Sequence, residues 1–90
     1  MQAIIRFSLQ HDQNGRLWNR LQRVLQDAGF VRRANTATHR HPDISATDLA
    51  VALQQFWETV AGVPETRMDH FWMYSEEAFP EEVDVMAAPA

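Results

Sequence analysis

Arg67-Met68-Asp69-His70-Phe71-Trp72-Met73-Tyr74-Ser75 is the stretch whose reading decides the fold. It is too aromatic for a loop and reads as a strand. Strand side chains alternate between faces, so Phe71 and Met73 fall on one side and His70, Trp72 and Tyr74 on the other. Both sets contain large apolar groups, so two orientations are open. In the preferred one Phe71 and Met73 face a helix layer, and His70, Trp72 and Tyr74 share an open face with Arg6 and Ser8.

The expected partner lies at the other end of the chain. In residues 3–9, Ala3, Ile5, Phe7 and Leu9 alternate with Ile4, Arg6 and Ser8, again a strand pattern. After the turn formers His11 to Gly15, Leu17, Trp18, Leu21, Val24, Leu25 and Ala28 form one helical stripe, with Asp12 or Asn14 as its cap and Gly29 as its stop. Residues 30–33 and 36–40 read as two short strands or one bent strand around Ala34-Asn35. Ser45 or Thr47 then caps a second helix, which buries Leu49, Ala52, Leu53, Phe56 and Val60 and ends at Gly62-Val63-Pro64.

The order strand, helix, strand, strand, helix, strand predicts an α+β, ferredoxin-like βαββαβ domain over residues 1–75. Both helices cover one face of an antiparallel sheet, and residues 3–9 and 67–75 pair at its centre. Residues 76–90 read as an acidic, mostly solvated tail, with a short edge strand at 82–86 around Val83-Asp84-Val85.

Charge is divided along the chain. Residues 1–40 hold seven arginines and two acids, a net +5; residues 41–90 hold one arginine and ten acids, a net −9. Such polarity points to an anionic partner, a match between the two halves, or head-to-tail self-association. The acidic tail is expected to reach the arginine-bearing edge of its own or a partner subunit. The chain has 90 residues, suited to one small domain, and no cysteine, so neither a disulfide nor a thiolate zinc site is available. No apolar run is long enough to span a bilayer, and residues 1–6 do not read as a signal peptide, so no membrane partner and a cytoplasmic location are expected.

Two sets of residues carry candidate chemistry. Arg6, His70, Trp72 and Tyr74 on the open face combine charge with stacking surfaces, which suits single-stranded nucleic acid. The competing expectation for the same face is a dimer interface, since an uncovered sheet displaying Trp and Tyr needs a cover. Arg32, Arg33 and Arg40, interleaved with Thr36 and Thr38, are candidates for phosphate. Their competing role is to pair with the acidic half or to solvate an edge strand, since the chain as a whole is acidic. His39 and His41 would point to one face of a strand, with Asp43 nearby, yet the set is incomplete for a metal and reads as solvated polar positions. No metal or cofactor is expected. The sequence has no phosphate-binding glycine loop and no helical His-Glu-x-x-His.

The run Ala3 to Leu9, the segment Ala28-Gly29-Phe30-Val31-Arg32 and the closing Asp69 to Ser75 resemble the virulence-associated protein D (VapD) family, itself similar to the small CRISPR-associated integration subunit. The resemblance spans residues 1–75 in order and length. It implies a ferredoxin-like homodimer and a link to RNA, through endoribonuclease activity in toxin–antitoxin or CRISPR-type systems, or to a protein partner. The family's proposed catalytic aspartate ends the first strand, where this chain has Ser8. A serine cannot act as carboxylate ligand or general base at neutral pH, which leaves Ser8 and the nearby Asp12 as the catalytic candidates.

Overall fold

In a computed structural model, which describes residues 1–76 and 79–84, the chain runs β1 (Ala3–Gln10), α1 (Arg16–Asp27), β2 (Val31–Arg32), β3 (Thr38–His41), α2 (Ala46–Ala61), β4 (Arg67–Ser75) and β5 (Phe79–Asp84). The strands form one sheet in the order β2-β3-β1-β4-β5, and every neighbouring pair is antiparallel. The first four strands and the two helices are the expected ferredoxin-like α+β arrangement, with β1 and β4 paired at the centre.

Register settles the orientation of β4. Ala3 lies opposite Ser75, Ile5 opposite Met73 and Phe7 opposite Phe71. These residues are buried under the helices, with Leu17, Leu21 and Leu25 of α1 and Leu49, Ala52 and Phe56 of α2. Phe7 occupies the middle, its ring centroid 4.8 Å from that of Trp18 and 5.1 Å from that of Phe56. Each large apolar side chain buried this way contributes about 1.5–3 kcal/mol.

Local chemistry starts and stops the helices close to where the sequence suggests, although the cap position of α1 is Gly15 and not Asp12 or Asn14. Asp12 precedes a single 3-10 turn at Gln13–Gly15. Its Oδ1 accepts the Leu17 N–H at 2.8 Å and its Oδ2 the Trp18 N–H at 3.0 Å, so one carboxylate satisfies two of the unpaired amides of α1. Ser45 caps α2 by accepting the Asp48 N–H at 3.0 Å. Gly29, at φ +97°, ends α1; a Cβ there would come within 2.7 Å of His41 Nε2.

Three features depart from the expectations or refine them. The edge strand runs from Phe79 to Asp84, beginning earlier than residue 82; Val85 and Met86 lie outside the described residues. A β-bulge interrupts the central pair: Ser8 faces His70 and Leu9 faces Met68, so Asp69 is the extra residue on β4. His39 and His41 are not solvated. Ile5 lies opposite His39 and Ala3 opposite His41, and that row faces the helices, so His39 is fully buried and His41 half-buried. The sequence shows that the two rings share a face; pairing with β1 makes it the inner one.

Candidate functional site

The face of the sheet that no helix covers carries most of the chemistry-bearing residues. Cross-strand pairing arranges them in rows. Ile4 lies between Arg40 and Tyr74, Arg6 between Thr38 and Trp72, and Ser8 beside His70. Val31 extends the first row beyond Arg40. Ile4, Trp72 and Tyr74 are half-buried; Arg6, Arg40 and His70 are exposed.

Arg6 lies over the indole of Trp72, its guanidinium carbon 5.1 Å from the ring centroid, a cation–π arrangement. Beside this pair is a groove of about 360 Å³ lined by Arg6, Ser8, Ala37, His70 and Trp72, with Phe7 and Phe71 at its floor. Arg40 is held by Gln2, whose amide oxygen, turned toward the guanidinium, accepts from Nε at 2.7 Å and from Nη2 at 3.3 Å.

At the lower end of the groove the bulge turns Asp69 toward β1. Ser8 Oγ donates to Asp69 Oδ2 at 3.2 Å and Gln10 Nε2 donates to Oδ1 at 2.9 Å. His70 Nε2 stands 4.0 Å from Oδ2, an ion pair only when the imidazole is protonated. Sequence reasoning missed Asp69 and Gln10. One signal was available: Asp69 and His70 are consecutive polar residues in a strand that otherwise alternates, which is how a bulge reads in sequence.

The second arginine set divides. Arg32 turns to the helix side, where its guanidinium carbon is 5.2 Å from the Trp18 ring centroid and its Nε donates to the Thr36 carbonyl at 2.7 Å. Arg33 is exposed at the β2–β3 turn, which is closed by Arg33 N–H to Thr38 O at 2.9 Å and passes through Ala34 at φ +49°. Val31, Arg32, Arg33, Arg40 and Pro42 together line a cleft of about 520 Å³ at the β2 edge. Arg40 therefore belongs to both regions, Arg32 and Arg33 to the edge alone.

Asp12 is placed apart from both regions, and both its oxygens are engaged in the α1 cap. Ser8 and Asp12 are thus not brought together. His39 stacks on Phe7 at 5.7 Å between centroids and lies 5.9 Å from Trp18. Its Nδ1 lies 3.3 Å from the Ala37 carbonyl, while its Nε2 is buried with no hydrogen-bond partner among the described residues. Burial pushes its pKa below the ordinary value; the nearby Arg32 charge acts in the same direction and the Ala37 contact against it. Among the described residues, no cluster of three or more histidine or acidic side chains is disposed to hold a metal, and no helix is long and apolar enough to cross a membrane.

Comparisons with protein-family models, with curated proteins and with solved structures gave no match to this chain.

Proposed function

We propose that this chain is a single-stranded RNA-binding protein of the virulence-associated D type, which lays the strand across the open face of its sheet. The observation that carries this is the Arg6–Trp72 pair beside an open groove. An arginine stacked on an indole offers a nucleotide both a phosphate contact and an aromatic surface. Arg40, one strand away on the same face, supplies a second phosphate contact. The chain's net charge of −4 argues against a nucleic-acid partner only if the acids share this face. Asp69 lies beside the groove with its carboxylate already engaged by Ser8 and Gln10, and Asp84 of β5 stands opposite Trp72 at the end of the Arg6 row. Binding rather than cleavage is what these groups supply. The Ser8 hydroxyl donates to an Asp69 carboxylate that Gln10 also holds, and both Asp12 oxygens accept backbone amides of α1.

The test is titration of a short fluorescent single-stranded RNA at several salt concentrations. Affinity should fall steeply with salt, by a log–log slope of about 0.7 per phosphate neutralised. Arg6→Ala with Arg40→Ala should lower that slope by about 1–1.5, and Trp72→Ala should weaken binding by about 5- to 100-fold through lost stacking. Affinity unmoved by both changes would remove the proposal.

A second reading makes the same face a homodimer interface. Ile4, Trp72, Tyr74 and the 67% exposed Val31 supply an apolar surface on it. The strands, from two residues in β2 to nine in β4, present roughly 460 Å² at about 3.3 Å per residue and 4.8 Å spacing, over half of one partner's share of a standard interface. Sedimentation of Trp72→Ala distinguishes the two. A shift toward monomer with no RNA affinity in the parent protein favours the interface.

A further inference from the structure

The two edge strands of the sheet carry opposite charge. β2 ends one side, with Arg32 in the strand, Arg33 directly after it and Arg40 beside it on β3. β5 ends the other side and holds Glu81, Glu82 and Asp84 within its six residues. Four strand spacings separate the edges, about 19 Å. β5 therefore stands too far from β2 to meet it within one chain, and a match between these two edges is available between molecules.

We infer that this protein self-associates head to tail, with the acid-bearing β5 edge of one copy seated against the arginine cleft at the β2 edge of the next. Three observations support a second copy as the occupant. The cleft of about 520 Å³ is lined, among the described residues, by three arginines with Val31 and Pro42, so it suits a segment that mixes acids with apolar residues, as Phe79-Pro80-Glu81-Glu82-Val83-Asp84 does. Val31 is 67% exposed at that edge, an apolar side chain that such a contact would cover. The strand directions also agree. β2 is antiparallel to β3 and β3 to β1, while β5 is antiparallel to β4 and β4 to β1, so β2 and β5 both run with β1. A copy placed alongside without inversion therefore brings its β2 parallel to the neighbour's β5 and keeps both helix layers on the same side.

Charge decides which edges meet. Edge strands commonly carry charge to prevent pairing, and that works when the charges are alike. Here β2 repels β2 and β5 repels β5, while β2 and β5 attract. The arrangement excludes a two-fold contact through either edge and favours a heterologous one, whose product is a ring or an open chain of copies. Pro80 has no N–H to give, so a full ladder along β5 is interrupted and charge rather than backbone pairing dominates the contact. The inference goes beyond RNA binding and holds whether or not the open face takes a ligand.

The experiment uses the whole chain without RNA, by analytical ultracentrifugation over a wide concentration range at low and high salt. Average mass should rise with concentration at low salt, past that of a dimer, and the rise should shrink as screening shortens the reach of the charges. Arg33→Glu with Arg40→Glu makes both edges acidic; Glu81→Arg with Glu82→Arg makes both basic. Each double variant alone should associate at least about tenfold more weakly, because like charges then meet across the contact. An equimolar mixture of the two should recover association, since every acidic edge again finds a basic one. Near-UV circular dichroism identifies any variant that fails to fold; in that case Arg33→Glu and Glu82→Arg alone serve as the pair. A wild-type mass that stays constant at low salt, or folded variants whose mixture associates no better than its components, would overturn the inference.

Discussion

His39 lies against the rings of Phe7 and Trp18 with its Nε2 enclosed, so placing a proton on it puts a charge where no partner waits among the described residues. Burial is the main cause of its lowered pKa, with Arg32 adding to it. The unfolded chain takes up this proton near 6.5, and the folded chain only at lower pH. Between those two values the unfolded state binds more protons, so stability falls as pH drops below about 6.5. The slope from one such group is at most about 1.4 kcal/mol per pH unit. Urea denaturation at pH 7 and pH 5 should show this loss in the wild type and a smaller one in His39→Phe, which keeps a ring against Phe7 and has no proton to gain. An equal loss in both proteins would place the sensitivity elsewhere. Nothing local to the sequence marks His39 as buried. Its neighbours Thr38 and Arg40 are polar, and only pairing with Ile5 sends the imidazole inward.

The helices were legible because each carries its own instructions. Leu17, Leu21 and Leu25 recur at helical spacing, and Asp12 and Gly29 bracket them with groups whose chemistry is local. Asp12 accepts two backbone amides, so Asp12→Ala should destabilise the fold by about 1–2 kcal/mol in chemical denaturation. It should leave RNA affinity at native temperature within about twofold, since the cap stands apart from the open face; a large loss of binding in a folded variant would restore Asp12 as a functional candidate. The strands were legible as strands, but alternation left two orientations of β4 open, and the pairing of Ile5 with Met73 and Phe7 with Phe71 decides between them. What alternation does not encode is an irregularity. The doublet Asp69-His70 hints at the bulge within β4, but its link to Ser8 and Gln10 joins two strands far apart in sequence and shows only once they pair. The same holds for Arg32, whose direction depends on Trp18 of α1.

For the molecule as a whole, the division of charge along the chain becomes a division across the sheet, because the chain's early strand β2 and late strand β5 end up at opposite edges. The open face owes its character to residues from both ends, Arg6 from the first strand and Trp72 from the fourth. That arrangement also has a consequence for how the protein is made. β1 leaves the ribosome ahead of the other four strands, yet one of its two neighbours is β4, so Ala3 waits for Ser75 and Phe7 for Phe71. Until then the nascent chain holds both helices and the β2–β3 hairpin around a sheet with a missing centre, a contact order that delays closure. A chain stopped after Gly62 should therefore show helical circular dichroism at most, bind a hydrophobic dye and melt without a sharp transition; cooperative unfolding of that fragment would disprove the dependence. The first of these five strands to be synthesised gains its second neighbour only when β4 arrives, and the interval in between is when the chain most needs protection from aggregation.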